Sequence, residues 1–352
     1  MTAHVVVVGA GYAGVMAANR VASVGVADVV VTVINPRRDF VERIRLHQCA
    51  AGSGAATVPL ADLLHHAVRL RVAAVDAIGE RSVTLNDGQV VGFDFLIYAV
   101  GSGADRQGFE QGDVGAVTGL GAAERLHARL RALPAGARIV VVGGGLTGIE
   151  TSAEIAEQFP RLRLDLVTNT VAASMSAGGR AVIERTLSAL GVSVRGGLTV
   201  TGVRAGGVDL RGNRVLFGDC TIWAGSFTVP GLARRSGLPV DRLGRLRTDE
   251  SLVCVGHPRI VGIGDAAAPP QSVAGHVRMS CQASIPMGAH GANTVLALLD
   301  GRKPSALSVG FVGQAVSLGR RRGLIQITRL DDSPRALAIR GRSAAAIKEV
   351  VC

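Results

Sequence analysis

The sequence predicts an α/β protein built from two units of parallel sheet, followed by a short α+β region. Three observations predict it. First, an apolar run over residues 5–8 leads straight into Gly9-Ala10-Gly11-Tyr12-Ala13-Gly14, then a helical stretch, then a second apolar run over 29–34. Second, the same order returns 134 residues later. An apolar run over 138–142 precedes Gly143-Gly144-Gly145-Leu146-Thr147-Gly148, a helical stretch and a further run over 164–168. Third, the run over 260–264 ends in Gly264-Asp265 and is followed by a long helical pattern. Strand, glycine turn, helix and strand within about 30 residues is the pattern of a βαβ unit that binds a dinucleotide.

Taken in order, the elements justify themselves by period and punctuation. Short continuous apolar runs bounded by glycine read as strands buried on both faces, as parallel strands are. A helix is expected over 12–24 and a strand over 29–34. Residues 40–54 read as irregular and 60–70 as helical. Strands follow over 72–75, 82–85 and 93–100, with a turn at Asn86-Asp87-Gly88. The second unit has helices over 122–133, 146–158 and 180–190. Its strands are expected over 138–142, 164–168, 192–195, 207–210 and 221–224. A helix is expected over 280–299. Strands over 311–318 and 324–328 and a short helix complete the chain.

Composition narrows the function. The chain has 352 residues, enough for two domains. It is 48% hydrophobic and 18% charged, so it folds around a sizeable core. Its 47 glycines are nearly twice the usual share of about 7%. They cluster after apolar runs, where tight turns and close backbone approach to a ligand are needed. The net charge is +11. Residues 311–352 hold eight Lys/Arg and three acids, so +5 of that excess falls in the tail. No aromatic interleaving or recognition motif accompanies these charges, and nucleic-acid binding is not expected. The cysteines Cys49, Cys220, Cys254, Cys281 and Cys352 are widely spaced and odd in number. This argues against a disulfide framework and against a zinc site, and predicts a reducing, cytoplasmic compartment. No metal is expected. No apolar run reaches the roughly 18 residues of a spanning helix.

Each glycine fingerprint has a chemistry. Gly9 and Gly143 permit the tight turn, Gly11 and Gly145 let backbone approach a pyrophosphate, and Gly14 and Gly148 allow close helix–strand packing. The helix N-terminus then faces the phosphates. Tyr12 and Ala13 belong to the first loop. The end of the second strand usually carries an acid for the ribose hydroxyls. Here Asn35 stands at the first such position, and Thr168 and Asn169 at the second. An amide can still bond a ribose. Without the acid, a 2′-phosphate is not repelled, and NADH against NADPH stays open. Arg161, Arg163 and Arg180 are read either as surface residues or as contacts for such a phosphate. Asp265, at a strand end, is read as an acceptor from sugar hydroxyls or as an ordinary helix cap.

In this order the motifs resemble the two-dinucleotide-binding-domain flavoproteins, the pyridine nucleotide–disulfide oxidoreductase superfamily, over nearly the whole chain. The resemblance rests on the two fingerprints, the Tyr98-Ala99-Val100-Gly101 and Ile222-Trp223-Ala224-Gly225 turns, and Gly264-Asp265. It implies FAD at the first fingerprint and NAD(P)H at the second. It implies an FAD-binding domain over 1–105 and 252–304, split by an NAD(P)H-binding domain over 106–251, with a C-terminal interface region over 305–352. It gives Asp265 the ribityl chain, with Gly101 and Gly264 in the adjoining turns, and places Glu150 near the nicotinamide. The closest branch is similar to the type II NADH:quinone oxidoreductases. Their A-Q-x-A-x-Q segment faces the flavin pyrimidine edge, and Cys281-Gln282-Ala283-Ser284-Ile285-Pro286 is its counterpart here. Gln282 matches the first glutamine and Pro286 replaces the second. Glu150 and Gln282 are thus the candidate catalytic residues, with Cys281 beside the flavin.

The superfamily's disulfide reductases carry a cysteine pair, and Cys49 has no neighbour to form one. It is read as a small hydrophobe, with a flavin-facing thiolate as the alternative, since His47 could lower its pKa. His276 and Arg278, just before the long helix, are read as lining the acceptor side or as loop residues. The resemblance implies electron transfer from NAD(P)H through FAD to a quinone or similar small organic acceptor. The alternatives are a tailoring flavoenzyme of specialised metabolism and a non-enzymatic nucleotide sensor. Membrane contact is expected to be peripheral at most, through a short terminal helix, and a homodimer is left open.

Overall fold

The structure is a computed structural model that describes residues 2–24, 28–104, 114–225 and 227–351. By its internal contacts the chain divides into two compact units. The first comprises residues 1–41, 57–103 and 228–311, and the second 42–56, 104–227 and 312–352. The expected boundary at 105/106 lies outside the described residues. The expected C-terminal region divides, because residues 305–311 pack into the first unit and 312–352 into the second. The segment 42–56 also joins the second unit.

The first unit is built on a six-stranded sheet in the order Val253–Cys254, His257–Gly262, Phe95–Tyr98, Ala3–Val8, Val29–Asn35 and Val68–Val72. All neighbours but the first pair run parallel. Side chains alternate between faces along a strand. Val5, Val7, Val31 and Val33 pack against the helices Tyr12–Ser23 and Cys281–Leu299. Val6, Val8, Ile34, Leu96 and Tyr98 pack against a three-stranded meander, Val75–Ile78, Ser82–Leu85 and Val90–Gly92. Both faces are covered, which is why these strands read as unbroken apolar runs. Each such side chain, fully buried, contributes ~1.5–3 kcal/mol.

The second unit repeats this plan. Its five-stranded parallel sheet runs Val114–Ala116, Cys220–Trp223, Arg138–Val142, Arg163–Val167 and Val192–Arg195. Val140, Val142 and Val167 pack against a second meander, Val200–Arg204, Gly207–Leu210 and Arg214–Phe217. The helices Leu120–Ala132, Leu146–Gln158 and Ala177–Ala189 complete the βαβ crossovers.

Three expectations are corrected. Residues 60–70 form only a short helix, Leu60–Leu63, and then the edge strand Val68–Val72. Leu64 turns to an extended backbone, and Val68 and Val72 take up register with Val29–Asn35. Sheet pairing overrides the helical period there. Residues 40–54 are not irregular, since they contain the strand Asp39–Val41 and the helix Leu46–Ala51. The last fifty residues form a three-stranded antiparallel sheet, Gly313–Ser317, Gly323–Thr328 and Pro334–Arg340, before the helix Gly341–Val351. The unforeseen third strand starts at Pro334, which has no N–H for a ladder and so suits an edge. No described helix is long and apolar enough to cross a membrane.

Candidate functional site

In the first unit the fingerprint loop is held from three sides. Gly9 N–H donates to Ile34 C=O at 2.9 Å, and Ala99 N–H donates to Val8 C=O at 2.9 Å. Gly9 has φ +101°, and an added Cβ there would collide with Ala99 O. A Cβ on Gly14 would collide with Gly9 O, so only glycine lets the helix start this close to the strand. A Cβ on Gly11 would meet nothing within 4 Å. Gly11 is the helix N-cap and supplies no side-chain acceptor, so the first N–H groups of Tyr12–Ser23 are left for an anion. Tyr12 lies edge-on to Phe40, with ring centroids 5.0 Å apart, and Ala13 packs under Gly264 and Gly288. The cradle therefore fits a pyrophosphate.

Asn35 sits beside this loop. Its Oδ1 accepts from Ala10 N–H at 3.1 Å and its Nδ2 donates to Arg37 C=O at 2.8 Å. The amide braces the loop from the ribose position. Gly101, at φ +68°, turns the chain after Phe95–Tyr98. The next residue, Ser102, donates its hydroxyl to Asp265 Oδ2 at 2.6 Å. Asp265 lies in the short 3₁₀ turn Gly264–Ala266, and its Oδ1 accepts from Ser284 Oγ at 3.3 Å. Gly9, Gly11, Gly14, Asn35, Gly101, Gly264, Asp265, Cys281 and Gln282 all belong to this one unit. Ser102 and Ser284 were missed by the sequence reading. Ser284 lies inside a segment it singled out, and only its bond to Asp265, from the first turn of the helix Cys281–Leu299, reveals it.

The second unit reproduces the loop. Gly143 N–H donates to Val167 C=O at 3.0 Å, and Ala224 N–H to Val142 C=O at 2.8 Å. Gly143 has φ +123°, and a Cβ on Gly148 would collide with Gly143 O. Gly145 is an N-cap without a side-chain acceptor, and its Cβ position is open. This cradle too fits a dinucleotide. Beyond it, a cleft of about 910 Å³ runs from Asn169 and Thr170 along the helix Ala177–Ala189, with Arg180, Glu184 and Ser188 among its walls.

Glu150 is one turn into the helix Leu146–Gln158 and is buried. Its Oε1 pairs with Lys348 Nζ, on the helix Gly341–Val351, and accepts from Ser317 N–H at 2.9 Å. Its Oε2 lies 3.9 Å from His47 Nδ1. Burial would push the Glu150 carboxyl up, but Lys348, then His47 and Ser317 N–H, hold it below the usual range. Burial lowers His47 to about 4 against the pull of Glu150, so the ring is neutral at pH 7. One turn on, buried Glu154 accepts from Ser53 Oγ, and its carboxyl is raised by burial. His47 Nε2 and Glu154 Oε2 have no hydrogen-bond partner among the described residues. Lys348 lies 198 residues from Glu150 in sequence, and no local signal marks it. His47 was noticed only as a neighbour of Cys49. The Cys49 thiol is itself pushed up, by burial and by Glu124, so it is not a ready thiolate.

Comparison with known proteins agrees with this geometry. The family model described as pyridine nucleotide-disulphide oxidoreductase matches residues 3–292. An NADH dehydrogenase-like protein of Mycobacterium tuberculosis is 34% identical over 335 residues, covering 84% of this chain and 81% of its own. Demethylphylloquinone reductase of Synechocystis sp. is 28% identical over 281 residues, covering 74% and 69%. Among solved structures, NDH2 from Plasmodium falciparum in complex with NADH superposes with a TM-score of 0.83 at 14% identity, covering 100% of this chain and 94% of that one. The sulfide:quinone oxidoreductase of Aquifex aeolicus gives the same score and identity over 99% and 90%. The chain thus belongs to the pyridine nucleotide-disulphide oxidoreductase family, on its NADH dehydrogenase-like side, with FAD and NAD(P)H as its cofactors.

Proposed function

We propose that this FAD- and NAD(P)H-dependent oxidoreductase passes electrons from the nicotinamide cofactor, through FAD, to a quinone or a related small organic acceptor. The observation that carries the reading is the pair of matching cradles with open N-caps at Gly11 and Gly145, the first backed by Asp265 and its two serines. The flavin supplies a ring that takes an electron pair from the nicotinamide and releases it to the acceptor.

The protein's part is to bind, orient and set charge. The first unit, expected as residues 1–105 and 252–304 but found without 42–56 and with 228–251, serves as the FAD-binding domain. Gly9, Gly11 and Gly14 admit the pyrophosphate, Asn35 braces the loop, and Asp265 accepts from the ribityl hydroxyls beside Ser102 and Ser284. Within the expected 106–251, the part up to residue 227 that belongs to the second unit takes the nucleotide, with Gly143, Gly145 and Gly148 at its pyrophosphate. Glu150 positions the nicotinamide end, its charge fixed by Lys348, while Gln282 offers its amide at the flavin. Membrane contact is peripheral at most, on the cytoplasmic side. The quinone part of the reading is supported by the relative that reduces demethylphylloquinone.

The test begins with protein purified without added cofactor. It should be yellow, release FAD on denaturation, and bleach anaerobically with NADH or NADPH. Adding a short-chain quinone should then restore the colour within seconds. Failure of both nucleotides to bleach the flavin would overturn the reading. One observation favours a second reading, a tailoring enzyme acting on another organic substrate: Pro286 stands inside the helix where the branch has its second glutamine. Flavin that bleaches with nucleotide but is not reoxidised by any quinone would select it.

A further inference from the structure

The C-terminal sheet buries two glutamines that its own packing does not need. Gln314 and Gln326 lie directly opposite each other on the antiparallel strands Gly313–Ser317 and Gly323–Thr328. Both are buried, and the next residues on their face, Val316 and Leu324, are fully buried and apolar. An amide in such a place costs stability unless its hydrogen bonds are made. Each of these amides reaches out of the sheet to a serine of one distant segment. Ser174 Oγ donates to Gln314 Oε1 at 2.7 Å, and Ser176 Oγ donates to Gln326 Oε1 at 2.6 Å. Gln326 Nε2 donates to the Arg335 and Leu337 carbonyls at 2.5 and 3.0 Å, which turns its oxygen toward Ser176. Gln314 Nε2 has no hydrogen-bond partner among the described residues. Gln314 thus leaves a buried donor unmet, and what it supplies is an acceptor for Ser174.

That segment, residues 168–176, runs from the strand Arg163–Val167 to the helix Ala177–Ala189. It lies directly on the second fingerprint. A Cβ on Gly144 would collide with Thr168 Oγ1 and Thr170 O, and Ala172 N–H donates to Gly144 C=O at 2.7 Å. Ala172 is buried at φ +46°, a left-handed backbone that residues with a side chain rarely adopt. Such a conformation persists only where its surroundings hold it. Met175 N–H donates to Ala172 C=O at 2.9 Å, and the two serines on either side of Met175 are the ones fastened to the sheet. Ser176 is also the N-cap of the following helix and accepts from Gly179 N–H at 3.1 Å. Asn169, Thr170 and Val171, with Arg180 on that helix, wall the cleft beyond the cradle. The segment is therefore tied to the fingerprint at Ala172 and to the C-terminal sheet at Ser174 and Ser176.

We propose that Gln314 is a positioning residue for the nicotinamide nucleotide, and that through it and Gln326 the C-terminal sheet buttresses the nucleotide cleft. This rests on the reading that NAD(P)H occupies the second cradle. The wall is ordered before the nucleotide arrives, so the entropy of ordering it is not drawn from the binding energy. The effect falls on binding and not on electron transfer. The buried amide gives up some stability of the sheet for order in the cleft.

Rapid anaerobic mixing of the holoprotein with rising concentrations of the nucleotide that reduces the parent separates binding from chemistry. Gln314→Leu should raise the nucleotide Kd about fivefold and leave the limiting rate of flavin reduction within about twofold. Its FAD content should be unchanged, and its melting temperature should hold or rise, because the unmet donor is gone. Ser174 is exposed, and its replacement disturbs no core. Ser174→Ala should lose as much affinity as Gln314→Leu, and the double variant no more than either alone. Ser174→Thr keeps the hydroxyl and should bind within about twofold of the parent. A Kd within about twofold of the parent in either Gln314→Leu or Ser174→Ala would overturn the proposal. So would additive losses in the double variant, a limiting rate that falls as far as the affinity, or loss of FAD. A melting temperature of Gln314→Leu that falls with its affinity would mark a packing role and overturn it too. Should Gln314→Leu not fold, the serine variants decide: a loss in Ser174→Ala that Ser174→Thr restores supports the proposal, and any other result overturns it. A parent protein that neither nucleotide reduces refutes the proposed function instead.

Discussion

The two fingerprint loops are near copies in backbone and differ in what stands behind them. Both glycine turns sit at positive φ, both receive a strand-end carbonyl, and both open a helix whose N-cap gives no side-chain acceptor. Behind the first lies Asp265 with two serine hydroxyls, Ser102 and Ser284, donating to its carboxylate. Behind the second lies a buried charge, Glu150, held by Lys348 and flanked by neutral His47. The loop geometry is set by what any pyrophosphate needs. On the proposed function, one cradle keeps its ligand and the other exchanges it. Asn35 is tied into its own loop, whereas Asn169 and Thr170 line a cleft.

The sharpest break of this comparison is a methyl group at the third glycine of each loop. Gly14→Ala should give protein largely free of flavin, because the helix must move off the strand. Gly148→Ala should keep its flavin and lose more than 100-fold in kcat/KM for the nucleotide, or about 2.7 kcal/mol. Flavin content and anaerobic reduction kinetics distinguish the two. Equal flavin loss in both variants would deny the division of labour.

The buried pair tests the same contrast through stability. Lys348→Met leaves Glu150 buried without its cation and should cost about 3–5 kcal/mol of stability. Adding Glu150→Gln should return a large part of it. Urea unfolding of the two single variants and the double variant measures the coupling. A purely additive pair would mean that the ion pair does not hold this corner together.

His47 sharpens the contrast through pH. Its folded value is about 4, below the usual 6.5. The unfolded chain therefore binds the extra proton between those values. The stabilisation is complete above pH 6.5 and is lost as pH falls toward 4. The loss is on the order of 3 kcal/mol. His47→Gln should flatten the melting-temperature profile in that window. A profile unchanged by the substitution would show that the ring is not buried neutral.

The smallest effect concerns the ribose ends. With no carboxylate at Thr168 or Asn169, NADH and NADPH should differ by less than about tenfold in kcat/KM. Asn169→Glu should select NADH by a further ~10-fold, through repulsion of the 2′-phosphate. Initial rates with each nucleotide test this.

Much of this molecule was legible locally. Residues 138–142 and 146–158 form the strand and helix expected of them, because continuous apolar runs and glycine punctuation act within a few residues. The strand Val68–Val72 was not legible, since its conformation is chosen by a neighbour, Val29–Asn35, and not by its own period. The same holds for Pro334–Arg340. In the site, the glycines and Asp265 announce themselves by motif. Lys348, Ser102 and Ser284 do not, since a lysine or a serine gains its role only from what lies opposite.

The sequence by itself determined two dinucleotide cradles and their order, because a pyrophosphate demands a backbone without Cβ atoms at fixed spacing. Tertiary structure alone decided how charge is held around them. Lys348 reaches Glu150 across 198 residues. Electrostatic partners are chosen by distance in space, and that distance exists only once the sheets have formed.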